Sequence, residues 1–158
     1  MTEQDRQFMG RAIELARHGV DVNAGGPFGC VVVKDGEIIG EGNNRVTSTN
    51  DPTAHAEIIA VREACTRLGN FQLSGCTIYT SCEPCPMCLG AIYWARPDRV
   101  FYACTRDDAA KIGFDDDFIY EELEKSNADR EMVAVELMRD EALEVFRRWA
   151  DKPDKVEY

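Results

Sequence analysis

Between residues 76 and 104 a strand-like run, CTIYTS, is followed by a helical run opened by proline, PMCLGAIYWAR, and by a second strand-like run, RVFYACT. Strand, helix and strand in that order imply a right-handed crossover between parallel strands. The chain is therefore expected in the α/β class, and its other segments say what completes the sheet. FGCVVV and EIIGEG are joined by Asp35-Gly36, a strong two-residue hairpin signal, and MVAVELM offers a further strand.

Helices fill the remainder. Phe8, Met9, Ala12, Ile13, Leu15 and Ala16 recur at helical spacing, with His18-Gly19 as a stop. A second helix is predicted from about Ala54 to Leu68, with Thr53 as its cap and Gly69 as its end. DFIYEELEK and a segment from about Asp140 to Trp149 predict two more. With 158 residues and no repeats, low-complexity segments or linkers, the expectation is a three-layer α/β/α sandwich around a mixed five-stranded sheet, with both RVFYACT and CTIYTS buried.

The chain carries 18 basic and 29 acidic residues, a net charge of -11, so its field repels polyanions. Nucleic acid and acidic membranes are poor partners for it; a small molecule or a protein suits it better. There is no apolar run near the roughly 20 residues that span a bilayer and no secretory leader pattern. The protein reads as cytoplasmic. In a reducing compartment the seven cysteines (30, 65, 76, 82, 85, 88 and 104) are not expected to pair, which leaves metal binding and burial. Cys30, Cys65, Cys76 and Cys104 fall within strand or helix patterns and read as core, and Cys82 as a buried small residue.

Cys85 and Cys88 are three apart at a helix opening, where side chains share a face and the helix dipole favours thiolate. They can chelate one ion. Of the two histidines, His18 ends the first helix and reads as a charge there, whereas His55 opens the helix that follows the polar loop. Glu57, two residues on, is rotated about 200° from His55 on a regular helix, so the two can only straddle a site at its first turn. The assignment is His55, Cys85 and Cys88 as ligands of one Zn2+, with an open position for water, and Glu57 outside the ligand set as a proton shuttle. That arrangement suits hydrolytic deamination.

HAE followed by PCPMC is similar to the H-x-E and P-C-x-x-C pattern of the zinc-dependent deaminases of the cytidine/deoxycytidylate deaminase superfamily. Within that superfamily GGPFG, NDPTAHAE, YTSCEPCPMCLGAIYWAR, GFDD and the terminal EY resemble the bacterial guanine deaminase family over nearly the whole chain. The resemblance implies a cytidine-deaminase-like fold for residues 1-150, a C-terminal tail at 151-158 exchanged between the subunits of a homodimer, and addition of water at C2 of guanine to give xanthine and ammonia. It also implies substrate contacts. Asn44 corresponds to a side chain that hydrogen-bonds the purine, or it ends a strand in a turn; Phe28 to an aromatic packed on the base, or it is core. Asp116 accepts a hydrogen from the base, or with Asp115 and Asp117 caps a helix. Tyr158 closes over the partner's site, and the amides of Ala56 and its neighbours help orient the substrate. Trp94 lines the pocket or the subunit contact, or is core.

Two other readings stay open: a tRNA adenosine deaminase or a deaminase of another small aminated base or nucleotide, and a zinc-stabilised interaction module. The first predicts a basic stripe where this chain is acidic, and the second predicts that Glu57 is replaceable.

Overall fold

The computed structural model describes residues 1–158, which divide into two compact units, Met1–Asp116 and Asp117–Tyr158. In the first unit, β1 (Gly29–Lys34), β2 (Glu37–Asn43), β3 (Cys76–Cys82) and β4 (Arg99–Cys104) form one sheet in the order β2-β1-β3-β4. β1 pairs antiparallel with both β2 and β3, and β3 pairs parallel with β4 across the crossover. Asp35 and Gly36 turn the β1–β2 hairpin with φ of 50° and 80°, the left-handed pair that a tight hairpin turn needs.

The sheet buries a different set on each face because successive strand residues point opposite ways. Val31, Val33 and Tyr79 face α1 (Glu3–Asp21), where Phe8, Met9 and Leu15 cover them. Cys30, Val32, Cys76 and Ile78 face α3 (Ala56–Leu68) and α4 (Pro86–Ala95), which contribute Ala56, Ala60, Ala64, Ile92 and Ala95. These are the three expected layers. The alanines let α3 lie close to the sheet: a Cβ on Gly42 would sit 2.2 Å from the carbonyl oxygen of Ala56. That contact sets the height at which α3 begins.

Several boundaries move. α1 runs through Gly19 to Asp21; Gly19 serves packing, since a Cβ there would meet Asn43 Nδ2 at 2.9 Å, rather than stopping the helix. The polar loop holds one short turn of helix, α2 (Val46–Thr49). Thr53 does not cap α3; its amide and hydroxyl both donate to Asp51 Oδ1, at 2.8 and 2.7 Å, which leaves His55 as the N-cap.

The sheet has four strands, not the five expected. Residues 132–138 form no strand, and Met132, Val135 and Leu137 are more than four-fifths exposed. An apolar run is a strand only where another strand offers its backbone partners. RVFYACT does form β4, but as an edge strand rather than a buried one: Tyr102 is 51% exposed and Cys104 lies on the surface, while Phe101 stacks on Tyr79 at 5.1 Å. Cys65 is only partly buried, and Cys30, Cys76 and Cys82 are core as expected. α5 (Arg106–Ala110) completes the first unit. The second holds α6 (Asp117–Glu124) and α7 (Arg139–Ala150), neither with a buried residue.

Candidate active site

Two helices begin at the same place. His55 is the N-cap of α3 and Cys85 the N-cap of α4, with Pro86 supplying the fixed φ of its first helical residue. Neither side chain makes a capping hydrogen bond, so both are turned elsewhere. Cys88, one turn into α4, is fully buried beneath them. The sulfurs of Cys85 and Cys88 lie 3.5 and 3.4 Å from Nδ1 of His55, and the three ligand atoms all fall within 4.8 Å of one another. Two soft thiolates and an imidazole at that spacing fit a zinc ion, with a position left for water.

Glu57, in the first turn of α3, is 6% exposed and sits against this group. Its Oε2 accepts from Cys88 Sγ at 3.4 Å and its Oε1 from the hydroxyl of Thr80 at 3.3 Å. Burial pushes the Glu57 carboxyl above its ordinary range. The hydrogen bond from Cys88, reinforced by His55, holds the Cys85 thiol down at about 4, and Cys88 is correspondingly driven up by the thiolate beside it and by burial. The imidazole of His55 is raised, chiefly by its bond to Cys85. Both sulfurs sit in the first turn of α4, where positive potential favours the anion.

His55, Glu57 and Cys85 line a cavity of about 630 Å³ whose walls also include Phe28, Asn44, Thr47, Phe114 and Asp116. Phe28 and Phe114 meet edge to face, ring centres 4.9 Å apart. Asn44 is 5% exposed, and its Oδ1 accepts from the amides of Gly26 and Val46, both at 3.2 Å. That fixes which end of the amide is oxygen and leaves Nδ2 as the donor. Gly25 is required alongside, since a Cβ there would fall 2.3 Å from Asn44 Oδ1. Ala56 is buried at the first helical position, where an amide has no partner within the helix.

The structure therefore brings together His55, Glu57, Cys85, Cys88, Asn44, Phe28 and Asp116, with Ala56 at the margin. It does not bring Trp94, which is 61% exposed on α4 and lies about 9 Å along the axis from Cys88. Tyr158 ends the second unit, 70% exposed. Sequence reasoning missed Phe114, although it stands inside the GFDD segment, and Thr80, whose only signal is a hydroxyl in an otherwise apolar strand face.

An α/β/α sheet carrying a zinc-fitting triad and a buried carboxylate in one pocket defines a hydrolytic deaminase. The chain belongs to the cytidine and deoxycytidylate deaminase family, whose zinc-binding region matches residues 2–104. It is 56% identical over 151 residues to the guanine deaminase of Bacillus subtilis, covering 96% of this chain and 97% of that one. The X-ray structure of a guanine deaminase from Bacillus subtilis superposes with a TM-score of 0.95, at 54% identity, over 100% of this chain and 99% of that one. The tRNA-specific adenosine deaminase of Aquifex aeolicus is 46% identical over 77 residues, covering 49% of this chain and 51% of its own. No helix is long and apolar enough to cross a membrane.

Proposed function

We infer that the protein is a zinc-dependent guanine deaminase, converting guanine and water to xanthine and ammonia. The observation that carries this reading is likeness to a guanine deaminase over the full chain, at 56% identity, where the likeness to tRNA deaminases spans between about half and two thirds of the chain at lower identity.

His55, Cys85 and Cys88 would hold a zinc ion, a Lewis acid that would make water nucleophilic near neutral pH. Glu57 moves the protons. Its Oε2, on the ligand side, takes a proton from the water as oxygen bonds to C2, and returns it to the amino nitrogen as the C2–N bond breaks and ammonia leaves. A carboxyl raised by burial is suited to carrying a proton between those two steps. Nδ2 of Asn44 donates to an acceptor on the purine edge, Asp116 accepts from a ring or amino N–H, and Phe28 packs on the base with Phe114 behind it.

The working enzyme is a homodimer in which residues 151–158 are exchanged and Tyr158 closes over the partner's pocket, and Trp94 belongs to the subunit contact. Two features support this: no residue of α6 or α7 is buried, and β4 leaves an open edge. A surface so apolar calls for a partner. We place the enzyme in the cytoplasm, in the catabolism or salvage of purines.

The reading is tested by ammonia release from purified, zinc-analysed protein offered guanine, adenine, cytosine, cytidine, dCMP and unmodified tRNA, with Glu57→Gln as control. Release from guanine, lost in the variant, is expected. Release from tRNA alone would overturn it.

A further inference from the structure

β3 presents Cys76, Ile78, Thr80 and Cys82 to the α3–α4 side, and all four are buried. Thr80 is the one hydroxyl in that row, 1% exposed, facing Cys30 across the β1–β3 pair. A valine would serve a core position of this shape equally well, and would leave no polar atom to satisfy. The hydroxyl has its partner in Glu57, donating to Oε1 at 3.3 Å.

Glu57 receives a second side-chain bond, from Cys88 to Oε2. A cysteine that ligates a metal does so as thiolate, so Cys88 in that role has no proton to give. The bond on the ligand side then lapses, while the bond on the far side stays.

We propose that Thr80 is a positioning residue: its hydroxyl anchors Oε1 of Glu57 so that Oε2 stays turned toward the His55–Cys85–Cys88 group. The carboxylate needs that anchor because one of its oxygens must stay available for proton transfer and cannot also be held by a permanent donor. The role rests on the reading of Glu57 as proton carrier. It adds a residue on β3 to a site otherwise built from the starts of α3 and α4.

The test uses Thr80→Val, which keeps size and β-branching, and Thr80→Ser, which keeps the hydroxyl. On whichever free base the wild type deaminates, Thr80→Val is expected to lose tenfold or more in kcat, on the order of what small misplacements of a reacting group cost, with KM nearly unchanged. Thr80→Ser should recover most of that loss. Zinc content should equal that of wild type in both, and crystals of Thr80→Val should show the Glu57 carboxyl rotated or in more than one orientation. A Thr80→Val enzyme with wild-type kcat and an unmoved Glu57 overturns the proposal. So does a kcat that falls only in step with zinc content, or a Thr80→Ser enzyme as slow as the valine variant. The wild type's own substrate profile judges the guanine reading separately, and the orientation of Glu57 is visible without any substrate.

Discussion

His55 and Cys85 stand where helices ordinarily begin with Ser, Thr, Asp or Asn, a choice worth about 1 kcal/mol at each helix. Both positions forgo that stabilisation, and their side chains converge with Cys88 instead. Departures of this kind from a local rule mark function; the ligand set was legible in the sequence, because Cys85 and Cys88 are three apart and the spacing of His55 and Glu57 matters only at a first turn, whereas the cap itself was assigned to Thr53. Phe114 and Thr80 were not legible, because their roles arise from contacts across 86 and 23 residues of chain, with Phe28 and Glu57. Asp116 lies between these cases. It is half-buried on the pocket wall, yet it also stands just ahead of Asp117, the first residue of α6. Asp116→Ala is expected to cut kcat/KM for guanine about tenfold or more, in the range of one lost charged hydrogen bond, with zinc content and melting temperature little changed. A fall in melting temperature with kcat/KM intact would make it a helix residue instead.

Most elements were read well where local chemistry decides them, the Gly19 stop and the Thr53 cap excepted, and poorly where pairing does. Asp35-Gly36 fixed the hairpin, Gly69 ended α3 in a left-handed turn, and Pro86 opened α4, each through its own backbone. Whether MVAVELM became a strand, or whether β4 was central or at an edge, depends on strands far away in sequence. The attachment of α1 to the sheet is of the same non-local kind. Tyr79 of β3 donates to Asp5 Oδ1 at 2.7 Å, and Phe8 packs on the same ring at 5.4 Å. The amide of Thr2, and then the Tyr79 hydroxyl, hold the Asp5 carboxyl down at about 2. Its contribution is therefore present above the unfolded value of 3.8 and lost as pH falls through about 2. Tyr79 is pushed up to about 12, mainly by burial and then by Asp5, so its contribution is present below 10 and lost as pH rises through about 12. Melting temperature against pH should show both limbs in the wild type. Tyr79→Phe should shrink the alkaline limb, to which the burial-raised Cys82 thiol also contributes, and soften the acid one; identical profiles would mean that this bond does not fasten α1.

At the scale of the whole molecule, the net charge of -11 and the open pocket point the same way, to a small neutral ligand that needs no electrostatic capture. A cavity of about 630 Å³ is roomy for a single purine, which is the argument for a closing group from outside the first unit. Removal of Lys155 to Tyr158 is accordingly expected to reduce guanine turnover by an order of magnitude or more, comparable with the loss of other substrate-positioning groups, while zinc content stays at the wild-type level. Unchanged kinetics would take the tail out of the mechanism. The bareness of α6 and α7 has a consequence of its own. If the proposed exchange dimer buries these helices against another copy, they are stabilised by mass action, and their order, and with it the closure of the pocket, depends on how much protein is present. Turnover per molecule would then fall on dilution at constant substrate, and an enzyme acting on one small base would behave, in its concentration dependence, like an association equilibrium.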